Sequence, residues 1–150
     1  MFRHLLVPTD GSDLSRRTAT HAISFARETG ARITFFAALP QHPVSFHEGY
    51  GLTDAGTRER LIATAEQQGR AILDPLVAAA SAAGLTAEGV ATPCATVHDG
   101  IIAAATHHGC DLIFMASHGR RGIGALLLGS ETQKVLTHCR IPVLVYRKPD

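Results

Sequence analysis

A chain of 150 residues with 45% apolar residues, 18% charged residues and a formal net charge of +1 has the size and balance of one globular domain spanning 1–150. The near-neutral charge excludes a nucleic-acid coat, so any basic function must be local. Cys94, Cys110 and Cys139 form no CxxC pair and leave an odd count, which argues against a disulfide framework and for a reducing compartment.

The N-terminal stretch MFRHLLVPTDGS reaches Pro8 and Asp10 before the apolar core of a signal peptide could form. Its run HLLVP reads as a strand buried on both faces. No run of the chain approaches the roughly 18 apolar residues of a membrane span, so the expected place is the cytoplasm, with neither membrane nor nucleic acid as partner. Ser12 is placed to cap a helix in which Leu14, Ala19, Ala22, Ile23 and Ala26 share a face, and Gly30 supplies its stop. RITFFAAL is the second strand. From Pro40 to Thr57 the periodicity disappears, giving a loop whose His42, His47, Glu48 and Tyr50 either contact a ligand or face water.

A long helical pattern runs from about Arg58 to Ala83, with Pro75 expected to kink or split it. LTAEGVAT is a short third strand. Thr96 and Asp99 have capping spacing for a helix carrying Val97, Ile101, Ile102 and Ala105, which Gly109 ends. DLIFMAS is the most apolar strand and is expected at the centre of the sheet, and IPVLVYR, residues 141–147, closes the chain as a fifth strand. This alternation predicts an α/β fold of three layers, an open parallel five-stranded sheet with crossover helices.

In such a sheet, ligands bind beyond the carboxyl ends of the strands where the strand order reverses. PTDGS follows the first strand and SHGRRG the fourth, so Asp10 and a glycine-arginine loop face each other if those strands are neighbours. Ser130 and Gln133 have the spacing of a capping box, which puts a helix N-terminus, and hence an anion site, after Gly129. Gly119 and Gly129 would admit a ligand close to the backbone, and Arg120 and Arg121 could reach phosphate oxygens. The alternative is a glycine-rich turn with its arginines in water. No P-loop signature is present, and Leu127 stands where a dinucleotide fingerprint would need its third glycine.

LLVPTDGS, MASHGRRGIGALLLGSETQKVL and IPVLVYR, with the order of elements between them, resemble the universal stress protein family over essentially the whole chain. The resemblance implies strand order 3-2-1-4-5 and the adenine nucleotide alpha hydrolase-like fold. ATP-binding members of that family carry glycine, two residues, glycine, nine residues, then glycine with serine or threonine; Gly119, Gly129 and Ser130 match, and Ala116 replaces the first glycine. Carried over position by position, Pro8, Thr9, Asp10 and Ala38 would surround adenine and ribose, with Met115 and Ala116 beside them. His118, Gly119, Arg120, Gly129, Ser130, Glu131 and Thr132 would surround the phosphates. The implied cofactor is ATP, or ADP or AMP, with Mg²⁺.

Two departures carry a cost. If position 116 needs a positive φ, alanine there costs roughly 1–2 kcal/mol, about ten- to thirtyfold in affinity. Glu131 suits a helix's first turn, but would repel a phosphate by about 1 kcal/mol in water, which Arg120 and Arg121 could offset. The neighbouring histidines of HHGCD point in different directions and read as a polar helix terminus, not a metal site. His118 either donates to an anion or orders its loop. Asp10 and Glu131 form no recognisable catalytic pair, so no catalytic residue is named and at most slow ATP hydrolysis is expected. As an edge strand, IPVLVYR needs cover, either from the chain's own loop or tail or from the same strand of a second copy. The resemblance implies the latter, a homodimer. The expected function is a nucleotide-dependent stress-response homodimer signalling to an unidentified partner protein; the alternatives are an interaction or chaperone-like dimer without nucleotide and a slow ATPase.

Overall fold

Apolar runs too short for a helix and too apolar for a half-exposed strand become the interior of a parallel sheet. The computed structural model describes residues 1–41, 55–118 and 128–147. In chain order these form β1 (His4–Pro8), α1 (Asp13–Thr29), β2 (Arg32–Pro40), α2 (Ala55–Ala82), β3 (Ala87–Cys94), α3 (Val97–His107), β4 (Leu112–Ala116), α4 (Ser130–His138) and β5 (Val143–Tyr146). All strand pairs are parallel and the order is β3-β2-β1-β4-β5. This is the adenine nucleotide alpha hydrolase-like arrangement. The run expected at the centre, β4, lies one place off it, between β1 and β5. It is buried along its whole length, as an interior strand with both faces covered must be.

Alternation along the strands divides the core in two. Leu5, Val7, Ile33, Phe35 and Phe114 pack with Ala19, Ala22 and Ala26 of α1 and with Leu73 and Ala80 of α2. Leu6, Phe36, Ile113 and Met115 face the other way, against Ile101 and Ala105 of α3 and Val135 of α4. Helix α1 begins where expected, with Ser12 accepting from the Ser15 N–H, and ends at Gly30, whose φ of +70° only glycine adopts cheaply. Its buried face is built from Ser15, Thr18, Ala19, Ala22 and Ala26; Leu14 and Ile23 lie at its margin. Small residues let the helix sit close to the sheet, and Thr18 satisfies its hydroxyl on the Leu14 carbonyl at 2.8 Å.

Other boundaries differ from expectation for identifiable reasons. Helix α2 starts at Ala55 and runs unsplit through Pro75. Pro75 and Ala71, whose carbonyl loses its usual donor, are both exposed, so water can take the missing bond. Strand β3 begins two residues later than expected and includes Pro93, which an edge strand tolerates. Thr96 is the cap residue of α3, as expected, but makes no side-chain cap bond, because its hydroxyl donates to the Asp99 carboxylate instead. At α4 the cap is Gly129, not Ser130, which is the first helical residue, and Gln133 reaches back to the Leu128 carbonyl at 3.0 Å.

Candidate functional site

The strand order reverses between β1 and β4, since the crossover from β1 to β2 runs to one side of the sheet and that from β4 to β5 to the other, so a crevice opens beyond the carboxyl ends of β1 and β4. One wall is the turn from β1 into α1. The Thr9 N–H donates to the Phe36 carbonyl at 2.8 Å, and its hydroxyl donates to Ser15 Oγ at 3.0 Å. Asp10 Oδ1 accepts from the Ser12 N–H at 2.9 Å, which winds the PTDGS segment into a fixed turn.

The other wall is the return of the chain onto β4. The Gly129 N–H donates to the Ser117 carbonyl at 2.7 Å, and the Thr132 hydroxyl donates to the Ala116 carbonyl at 3.0 Å. A Cβ at Gly129 would lie 2.9 Å from His118 Cα and 3.3 Å from the Ser117 carbonyl oxygen. The glycine is therefore required by close approach of two backbones, since its φ of −62° is open to any residue. That approach brings the N-terminus of α4 to the crevice, where its first N–H groups lack intrahelical acceptors and favour an anion.

Between the walls lies a cavity of about 480 Å³. It is lined by Pro8, Thr9, Asp10, Ala38, Met115, Ala116, His118, Gly129, Ser130, Glu131 and Thr132, eleven positions that the sequence had singled out. Gly119 and Arg120, with Arg121 and the loop residues His42, His47, Glu48 and Tyr50, lie outside the described residues. Among the described residues, Ser15, Phe36, Val97 and Ile101 also line it. The i, i+4 pair Val97 and Ile101 was visible in the sequence, but only packing of α3 over β1 and β2 shows that its first turns reach this crevice.

Residues 1–147 match the model of the universal stress protein family. The chain belongs to this family. It is 29% identical over 154 residues to the universal stress protein MJ0531 of Methanocaldococcus jannaschii, an alignment covering 99% of this chain and 84% of that one. Its fold is similar to that of MJ0577 of the same organism, with a TM-score of 0.84 at 20% identity over 100% of this chain and 99% of that one. A universal stress protein solved in complex with cAMP is similar with a TM-score of 0.70 at 26% identity, covering 99% of both chains.

Within this universal stress protein, the two departures from the ATP-binding pattern read differently once their surroundings are known. No described residue other than glycine has a positive φ. Ala116 is regular strand, in register with Tyr146, so the strain anticipated there does not arise. Its methyl group instead occupies space in the cavity lining. Among the described residues, Glu131 has partners of its own. Its Oε2 accepts from the His98 N–H at 2.9 Å and lies 3.1 Å from His98 Nδ1, and its Oε1 accepts from Lys134 Nζ at 3.0 Å. Burial opposes ionisation of this carboxyl, but the hydrogen bonds from Lys134 and His98 outweigh it and hold the group below the ordinary glutamate value.

His118 lies at the cavity with its Nδ1 3.2 Å from Ser117 Oγ. The histidines of HHGCD are remote from it. His108 Nδ1 sits 3.2 Å from Glu88 Oε1, and burial pushes the thiol of Cys110 up to about 11. No described helix is long and apolar enough to cross a membrane.

Proposed function

We propose that the cavity binds an adenine nucleotide, ATP, ADP or AMP with Mg²⁺ where the phosphate chain calls for it, and that the protein acts in the stress response by passing its bound state to a partner. The observation that carries this reading is one cavity with two chemistries. Phe36, Ala38, Val97, Ile101 and Met115 supply apolar surface suited to a base, and the N-terminus of α4 supplies anion-binding donors. Val97, 45% exposed, leaves an apolar side chain at this opening that a stacked base would cover. In this reading Asp10 accepts from ribose hydroxyls, and Gly129, Ser130 and Thr132 hold phosphate. A volume of about 480 Å³ suits a nucleotide. The similarity to a universal stress protein in complex with cAMP supports the same ligand class.

A homodimer through residues 141–147 belongs to this reading, because β5 is an edge strand. The carboxylate of Glu131 in the cavity lining favours a second reading, a dimer of the same fold that binds partners without nucleotide. Calorimetric titration with ATP, ADP and AMP, with and without Mg²⁺, separates the two. Binding heat and a raised Tm are expected for at least one nucleotide; neither effect at millimolar concentration of any of them leaves the second reading standing.

A further inference from the structure

We infer that Glu131 sets the charge this cavity accepts, so that an adenine nucleotide carrying one phosphate group is taken in preference to one carrying three. The inference rests on the adenine-nucleotide reading above. Glu131 is the second residue of α4, and it lines the cavity beside Gly129 and Ser130, where the helix N-terminus draws an anion. A carboxylate on a free side chain would swing away from an incoming phosphate. This one is tethered on both oxygens, by His98 of α3 and by Lys134 one turn along α4.

The tether also consumes a second anion site. Helices α3 and α4 both follow parallel strands, so both begin at the end of the sheet that carries the cavity. The donors at a helix's start are what a phosphate seeks. At α3 the His98 N–H is already taken by Glu131, and the hydroxyl of Thr96 is turned onto Asp99. The protein's own carboxylate thus stands where a longer phosphate chain would find further donors. One phosphate group gains the N-terminus of α4. Each additional group brings negative charge toward a fixed, ionised glutamate, which among the described residues Lys134, itself about half exposed, neutralises only in part.

The test is calorimetric titration of the full chain with AMP and with ATP, in EDTA at low salt. The wild type is expected to hold AMP more tightly than ATP, with a gap that narrows as salt rises. Glu131→Gln keeps an acceptor for the His98 N–H and removes the charge; it should raise the affinity for ATP relative to AMP by about five- to tenfold. Lys134→Met leaves the carboxylate uncompensated and should move the ratio the other way. Thermal melts show whether each variant folds, and the sign of the Lys134→Met shift decides alone if Glu131→Gln does not fold. A wild type that prefers ATP, or a ratio unmoved by the substitutions, overturns the inference. Failure of every form to bind either nucleotide overturns the adenine-nucleotide reading instead.

Discussion

Gly129 and His4 show how much one residue decides at opposite ends of the sheet. A methyl group at position 129 would come within 2.9 Å of the His118 backbone, where nothing flexible can yield. Gly129→Ala is therefore expected to push the start of α4 off the end of β4, costing about 1–3 kcal/mol of stability and removing any nucleotide-induced rise in Tm. Parallel denaturant and ligand-melting curves check both; a variant with wild-type Tm and an undiminished nucleotide shift would show that the close approach is dispensable.

His4, 4% exposed, donates from Nε2 to Thr34 Oγ1 at 2.8 Å, because that hydroxyl gives its own proton to Glu88 Oε1 at 2.8 Å. This leaves Nδ1 buried without a hydrogen-bond partner. Burial, then the charge of Arg32, lowers the pKa of His4 below 6.5, against the opposing pull of Glu88 and Asp111. The unfolded chain therefore binds the extra proton first. Stability from this group is complete above about pH 6.5 and is lost as pH falls from there through the folded-state value, with a slope of at most about 1.4 kcal/mol per pH unit. Urea midpoints from pH 7.5 down to 5 should fall more steeply for the wild type than for His4→Gln, and parallel profiles would exclude His4 as the cause.

At the scale of elements, the site is held by helix starts more than by strands. The start of α4 is fixed by the Gly129 and Thr132 bonds to the end of β4, and the start of α3 by Glu131. Glu131 thus has two parts to play, tying two helices together and placing charge in the cavity. These parts separate by substitution, since glutamine keeps an acceptor while losing the charge. The extent of α1 and the start of α4 were legible because their punctuation is local: Ser12 and Gly30 bracket one, and Gly129 precedes the other. The roles within the capping signals were not. Thr96 and Ser130 each sit at an expected start, yet neither caps through its side chain, because competing partners, Asp99 for Thr96 and the cap position of Gly129 for Ser130, depend on side-chain geometry that spacing does not carry.

For the molecule as a whole, the proposed assembly turns on β5, the last strand of the sheet. The carbonyls of Pro142 and Tyr146 accept from Ile113 and Ser117 of the β4 segment, so in a parallel ladder the backbone groups of Val143 and Val145 face away from the sheet. A second copy pairing there would use those groups. Val145→Pro deletes one outward donor while leaving the bonds to β4, and is expected to convert a dimer into a monomer by sedimentation. A wild type that sediments as a monomer at micromolar concentration would remove the proposed interface.

The sequence by itself determined the alternation of strand and helix, and hence a parallel sheet with ligand-binding loops at one end. It also marked eleven residues that the cavity brings together, because turn residues at strand ends and the family's spacing are local signals. Tertiary structure alone decided what surrounds them. Val97 and Ile101 enter the lining only because α3 packs over β1 and β2. Ala116 escapes strain only because β4 stays regular to its end, and Glu131 is tethered by a residue 33 positions away. Periodicity reports which face of an element is apolar; it does not report which two helix starts meet, and that meeting sets the charge of the site.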